Sequence, residues 1–533
     1  MAVSIVPSPP AVVLSDHDLT LEQIIGVACG EQRVALSGDA AFLRAMERGR
    51  ETLERKLAQG EVIYGVNTGY GGNARYVIPN HELAHHQENL LEFLACGVGE
   101  PLPAAAVRAA ILLRARALSR GLSAVRVTVI EHLLDLLNHR ITPVVPRYGS
   151  VGASGDLCPS AYIARALVGR GEAIHRGRRV AAAEALAKEG LRPLALEAKE
   201  GLALLNGTTV MTGVAATVLD EARYLFRCSI AALALSVEAL RSSPDYYHPA
   251  IHLAKQHPGQ LRVAGMLSSY LSGSRLAVPL EEIRHRLEET ERSAQARHRV
   301  VDAGESIQSP YSLRCAPQGL GPMAETLDQA QTVIEREANS VNDNPLIDPA
   351  SDRVYHTGNF YGAHIARAMD GLKLDLANLA NWLHSVMALL MDDRFSNGLP
   401  PSLSPQAGLY QGFKGAQICQ TSLVTAIRHW SAPSLIHTLP TEQYNQDVVS
   451  LGTHAALTGM DVTRLLRWVV AITLLAAAQA VDLREGGGRL GAGTRPIHRR
   501  LRAASAFVDA DRPLDRDIDE VARLIEQRAI PVR

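Results

Sequence analysis

The stretch RYGSVGASGDLCPS, from Arg147 to Ser160, sets three glycines, an alanine and two serines ahead of a helix predicted to begin near Pro159. Three chemistries compete for it. A phosphate cradle needs a lysine followed by Ser or Thr, or a GxGxxG string with an acidic residue about twenty positions on. This run has no lysine and neither spacing. A tight turn into a helix fits better, with Asp156 near the cap position and Pro159 in the first turn. The third chemistry is covalent. The amide nitrogen of Gly155 can attack the carbonyl carbon of Ala153 if the backbone is held folded, an approach permitted by one small side chain and one absent side chain. Loss of water from the ring and from Ser154 then leaves an exocyclic methylene conjugated to an imidazolone, a strong electrophile. Taken alone, the string reads as the turn.

The longer string GSVGASGDLCP, with Asp156, Leu157 and Pro159 in place, resembles the Ala-Ser-Gly signature of the ammonia-lyases and aminomutases that build 4-methylideneimidazole-5-one. The histidine, tyrosine and phenylalanine ammonia-lyases belong to that family. The resemblance extends over most of the chain, in the family's order. It includes YGVNTGYGG (Tyr64 to Gly72), LLNGT (Leu204 to Thr208), QSPYSLRCAPQ (Gln308 to Gln318), NSVNDNPLID (Asn339 to Asp348), GNFYG (Gly358 to Gly362) and TEQYNQDVVSLG (Thr441 to Gly452). It implies a prosthetic group formed from Ala153, Ser154 and Gly155, without metal or nucleotide.

Removing ammonia and a proton from adjacent carbons of an amino acid requires an electrophile for a poor leaving amine and a base for a barely acidic β-proton. The resemblance makes Tyr64 the base. A free tyrosine titrates near 10, so the role asks for surroundings that favour phenolate, such as a helix N-terminus or Arg314. Packing at a strand end is the plainer use of Tyr64, although its sequel GYGGN suits a loop that closes over a site. Gln308, Tyr311 and Arg314 fall at i, i+3 and i+6 and can share one side of a helix start. Arg314 resembles the family's carboxylate clamp, a task for its planar fork, and Tyr311 the second tyrosine near the amine. Ser309 stands where the family carries an acidic residue. Asn206 and Asn344 match asparagines that contact the imidazolone or the carboxylate, and Phe360 an aromatic residue near the group or the substrate ring. Both asparagines also suit helix ends, Asn344 before Pro345 in particular. Glu442 and Gln446, four apart, can project from one helical face into the pocket; solvation is the alternative for Glu442.

By the same resemblance, substrate choice lies in HQENLLEFLACGVG, His86 to Gly99. Histidine lyases carry Ser-His where Phe93 and Leu94 stand, and tyrosine lyases His-Leu. Neither Phe93 nor Leu94 can bond an imidazole or a phenol, and leaving such a group unpaired costs about 1–3 kcal/mol. The expected substrate is L-phenylalanine and the product trans-cinnamate, with the bacterial phenylalanine enzymes the nearest resemblance. A phenylalanine 2,3-aminomutase shares every motif and is the first alternative. A tyrosine or histidine ammonia-lyase comes next, then a helical homologue without catalysis. Metal readings are weaker. His248 and His252 are four apart but enclose Pro249, with no Glu after the first, and His85-His86 has no third partner in view.

The elements that hold these residues are mainly helical. The first 200 residues are broken often by Gly and Pro, and beyond Leu202 long helices are predicted: Thr208 to Leu240, Pro322 to Val341 with a stop by Asn344, Tyr361 to Leu390, and Thr453 to Leu483. In the third, Ile365, Met369, Leu372, Leu376, Leu379, Leu383, Val386 and Leu390 alternate four and three apart, a stripe for lengthwise packing. This divides the chain into an N-terminal region carrying the loop (1–200), a long central helical bundle (201–483), and a flexible connector with a C-terminal helical segment (484–533). A formal net charge of -1 gives no reason to expect nucleic acid or an anionic membrane as partner. The most apolar run, Val469 to Val481, is thirteen residues long, short of the about 20 needed to span a bilayer, and reads as a core helix. Six scattered cysteines and an N-terminus without a basic and apolar leader fit a cytoplasmic protein with reduced thiols. The resemblance further implies a homotetramer whose sites each draw residues from three subunits.

Overall fold

The computed structural model describes residues 11–533, so the first ten residues of the N-terminus read for a leader lie outside it. The chain is mainly α, with 58% of residues helical. Its strands form only small ladders. Val12–Leu14 pairs in parallel with Val34–Leu36, and Val98–Pro101 runs antiparallel to Pro146–Tyr148 with Val98 opposite Tyr148.

The chain divides into two compact units, each built from separated segments. One comprises residues up to Asp220, Gln329–Asp370 and Pro433–Met460; the other Glu221–Asp328, Gly371–Ala432 and Asp461–Arg533. The contiguous segments 1–200, 201–483 and 484–533 do not coincide with these units, because a long helix returns the chain to neighbours far away in sequence.

The heptad stripe produces the Ala363–Met391 helix, and all eight stripe residues are buried. Each such side chain contributes about 1.5–3 kcal/mol on leaving water. The predicted helices from Thr208 and Thr453 appear as Thr209–Ala239 and Gly452–Leu483. The latter is long and apolar enough to cross a bilayer, but 78% of its most apolar stretch is buried inside the protein, as a core helix requires. The helix expected from Pro322 to Val341 instead runs Ala316–Ala338 and keeps Pro322 inside. The connector expected to be flexible is held. Leu490 is buried, Gly491 N donates to the Glu238 carboxylate at 2.7 Å, and the Thr494–Ala504 and Asp515–Glu526 helices follow.

In the first unit the Ala104–Leu118 helix is buried all round from Ala106 to Leu118, the pattern of a central helix. Its three buried arginines, Arg108, Arg114 and Arg116, all donate to oxygen acceptors. Beside it, the short Glu200–Leu205 helix breaks at Asn206-Gly207 before Thr209–Ala239 begins.

Candidate active site

The Val98–Pro101 and Pro146–Tyr148 ladder delivers the chain to Gly149, and the Ala-Ser-Gly loop follows before the Leu157–Leu167 helix. Two glycines make that loop possible. Gly155 sits at φ +71 so close to Gly207 that an added Cβ would lie 2.0 Å from the Gly207 carbonyl oxygen. At Gly152, with φ +67, a Cβ would lie 2.5 Å from Ser450 Oγ. The segment is fastened by main-chain and side-chain bonds. Ser450 Oγ donates to Gly152 O at 2.7 Å, Leu451 N to Val151 O at 3.0 Å, and Asp156 N to Gly207 O at 2.8 Å.

Asp156 occupies the cap position of its own helix but makes no cap bond there. Its fully buried carboxylate accepts instead from Met211 N at 2.7 Å, in the first turn of the Thr209–Ala239 helix, and from Thr453 Oγ1 at 2.5 Å and Ser150 Oγ at 3.2 Å. One side chain thereby ties the loop to the start of two long helices. Burial pushes its pKa up to about 6, against the pull of those donors and of Arg114.

A cavity of about 290 Å³ opens above the loop, and Tyr64, Phe93, Leu94, Ala153, Ser154, Gly155, Asn206, Glu442 and Gln446 all line it. Gln446 Nε2 donates to Ser154 Oγ at 2.9 Å, and Asn206 Nδ2 to Ser154 O at 3.1 Å. The Asn206 Oδ1 atom is buried without a partner. A loop pressed against Gly207, with an unused acceptor beside it, fits the ring that the tripeptide can form.

The rim differs from the sequence expectation in two ways. Glu442 and Gln446 share no helix face: Thr441 bridges Gln446 in a tight turn, with Glu442, Gln443 and Tyr444 at φ 51, 55 and 62. Both side chains still reach the cavity, and Glu442 Oε1 accepts from Gly72 N at 3.2 Å. Tyr64 Oη accepts from Gly71 N at 2.9 Å. Its surroundings favour the phenol, because burial first, and then the Glu442 charge, raise its pKa against the pull of that amide. That amide opens the three-residue 3-10 helix Gly71–Asn73.

Gln308, Tyr311 and Arg314 belong to the second unit and do not line the cavity. Tyr311 is 70% exposed, and the Arg314 guanidinium lies 4.6 Å from its ring centroid while Nε donates to Ser309 O. The serine that replaces the acidic residue accepts from Ser242 Oγ at 2.8 Å. Asn344 and Phe360 also lie outside the lining; Asn344 Oδ1 accepts from Thr357 N at 2.7 Å.

Sequence reasoning missed Tyr70, Gln87, Cys96 and Cys158. Tyr70 stacks on His86 with centroids 4.3 Å apart and receives a bond from Gln87 Nε2 at 3.1 Å. Gln87 also bonds Gly65 O and Leu202 N, fixing the Tyr64 loop to the Leu83–Phe93 helix. The GYGG string and the glutamine of the His86–Gly99 segment were the available signals. Cys96 and Cys158 both line the cavity. One histidine of each pair is packed, His86 with Nε2 against Thr68 O and His252 against Tyr246 O and Gln260, while His85 and His248 are exposed. Among the described residues no group of three or more His, Cys, Asp or Glu is arranged to hold a metal.

The family model for aromatic amino acid lyases matches residues 19–503. A hal-like protein of Dictyostelium discoideum is 43% identical over 515 residues, 96% of this chain and 95% of that one. The histidine ammonia-lyase of Geobacillus sp. (strain WCH70) is 39% identical over 97% of this chain and 96% of its own. The solved structure of Pantoea agglomerans phenylalanine aminomutase superposes with a TM-score of 0.93 at 35% identity, covering 97% of this chain and 99% of that one. The chain belongs to the aromatic amino acid lyase family, whose prosthetic group, 4-methylideneimidazole-5-one, forms autocatalytically from an Ala-Ser-Gly segment and needs no metal.

Proposed function

We propose that the protein is a phenylalanine ammonia-lyase, releasing ammonia from L-phenylalanine to give trans-cinnamate. The observation that carries this is the cavity wall. Phe93 and Leu94 line it together with Leu90, Leu157 and Leu202, and none of these offers a hydrogen bond to an imidazole or a phenol. A phenyl ring set against this wall leaves none of its own groups unpaired, whereas an imidazole or a phenol directed at it forfeits about 1–3 kcal/mol.

The prosthetic group supplies an electrophile for the amine. Tyr64 takes the β-proton, and its loop, anchored through Gly71 and Gln87, keeps the hydroxyl at the cavity. Glu442 places a carboxylate beside that loop, where it attracts the substrate ammonium. Gln446 and Asn206 hold Ser154 from two sides. Arg314 clamps the carboxylate and Tyr311 sits near the amine, both reaching the site of a neighbouring subunit in a cytoplasmic homotetramer. Gln308, Asn344 and Phe360 complete the substrate surroundings in that assembly.

The alternative, a phenylalanine 2,3-aminomutase, is favoured by the similarity to the Pantoea agglomerans enzyme. Incubation with phenylalanine, tyrosine and histidine in parallel, followed by chromatography, tests both. Cinnamate as the main product is expected. β-Phenylalanine as the main product replaces the lyase by the mutase, and reaction with histidine alone overturns the argument from Phe93 and Leu94.

A further inference from the structure

We infer that Arg114 is a positioning residue for formation of the prosthetic group and acts through Gly207. The inference rests on the family's prosthetic group and is independent of which amino acid is the substrate. As the Gly155 nitrogen bonds to the Ala153 carbonyl carbon, its proton passes to the carbonyl oxygen. The hydroxyl so formed leaves as water with the Ser154 N–H proton. A second water takes the Ser154 Cα proton and the Oγ hydroxyl. No oxidant is needed, but Gly155 N must be unengaged and pressed toward Ala153.

Gly207 meets that requirement. It forms a parallel bridge with Gly155 in which Gly207 N donates to Ser154 O at 3.4 Å and Gly207 O accepts from Asp156 N at 2.8 Å. The peptide groups on both sides of Gly155 are thus pinned to one residue. Gly155 N–H lies outside the ladder and donates no hydrogen bond among the described residues.

Arg114 holds Gly207 in place. From the central Ala104–Leu118 helix, Nη1 donates to Ala203 O at 3.2 Å and Asn206 O at 2.8 Å, at the end of the Glu200–Leu205 helix. Nη2 donates to Thr209 Oγ1 at 3.2 Å, at the start of the next helix. The fork therefore spans the break between the two helices with Gly207 in the middle, where a Cβ would lie 2.8 Å from Nη2. Arg114 is 99% or more buried and is attracted by Asp343, which also pairs with buried Lys199 at 2.5 Å. Its hydrogen bonds go only to carbonyls and a hydroxyl, and its charge faces the buried carboxylates of Asp343 and Asp156. Its planar fork supplies a geometry that no apolar residue can.

The test follows the peptide containing Ala153–Gly155 by mass spectrometry after cell-free synthesis of the full chain, reading the loss of two waters against time, with imidazolone absorbance as a second measure. Arg114→Met should slow maturation by about 10²-fold, the scale of a 1 Å misplacement of reacting atoms, while circular dichroism remains helical. Arg114→Lys, with the charge but not the fork, should recover part of the rate. A core variant of comparable Tm loss, Leu53→Ala, should mature at the full rate. Arg114→Met that folds and matures at the wild-type rate overturns the assignment. If Arg114→Met does not fold, Arg114→Lys and Thr209→Val decide, and undiminished maturation in both overturns it. Failure of all three to fold also overturns it, making Arg114 a purely structural residue.

Discussion

The floor and the rim of the cavity are built on opposite plans. The floor, from Gly149 to Leu157, buries Gly152, Ala153, Gly155 and Asp156, leaves Gly149 and Val151 exposed, and is pinned at main-chain groups by bonds to Gly207, Ser450 and Leu451. The rim, residues 64–72 and 441–446, reaches the site by side chains; Glu442 is exposed, and three successive residues there hold positive φ. A group that the chain must build from its own backbone demands a rigid mould. Groups that exchange protons and admit substrate require access, and strain of about 1–3 kcal/mol per residue is tolerable there. Floor changes should therefore affect maturation, and rim changes only turnover.

The sharpest break of that comparison is Ser154→Ala. Turnover should fall by at least about 10⁴-fold, the scale of losing a covalent catalyst, with the peptide mass retaining both waters. Tyr64→Phe comes next: a loss of about 10²–10⁴-fold typical of removing a general base, with imidazolone absorbance intact. If that absorbance disappears, the rim shares in the mould and the contrast fails. Glu442→Gln should lower kcat/KM by about tenfold, the value of one interaction of about 1.4 kcal/mol, and leave Tm unmoved.

Two pH effects are smaller. Tyr64 is raised above its ordinary value, so its base form grows as pH increases, and kcat/KM should keep rising into the alkaline range. A plateau below neutrality in the wild type would assign the base elsewhere. Asp156, at about 6 in the folded state against 3.8, binds its proton more tightly folded than unfolded. Its contribution to stability is fully present below the lower value and is lost as pH rises through about 6, by at most about 3 kcal/mol. The Tm difference between wild type and Asp156→Asn should shift in that direction between those pH values; an unchanged difference removes the buried charge from the floor.

Most of the floor was legible in the sequence, because ring closure depends on residues adjacent in the chain and on glycines whose absent side chains are visible in the string. The long helices were legible for the same local reason, since an apolar stripe repeating at 3.5 residues determines which face is buried. Asp156 stands at the cap position the sequence indicated, but its carboxylate bonds elsewhere. Capping its own helix is a local rule, whereas bonding Met211 and Thr453 depends on how distant segments pack. Glu442 and Gln446 were placed at the site for a helical spacing that the turn does not have.

By itself the sequence determined the chemistry: which three residues can cyclise, which family they belong to, and which helices are long. Only the tertiary structure decided what presses on those three residues. Arg114 and Gly207 are 93 positions apart, and Gly155 and Gly207 are 52 apart. No periodicity links them, and they meet because a helix buried on all sides carries one arginine to the point where two other helices break.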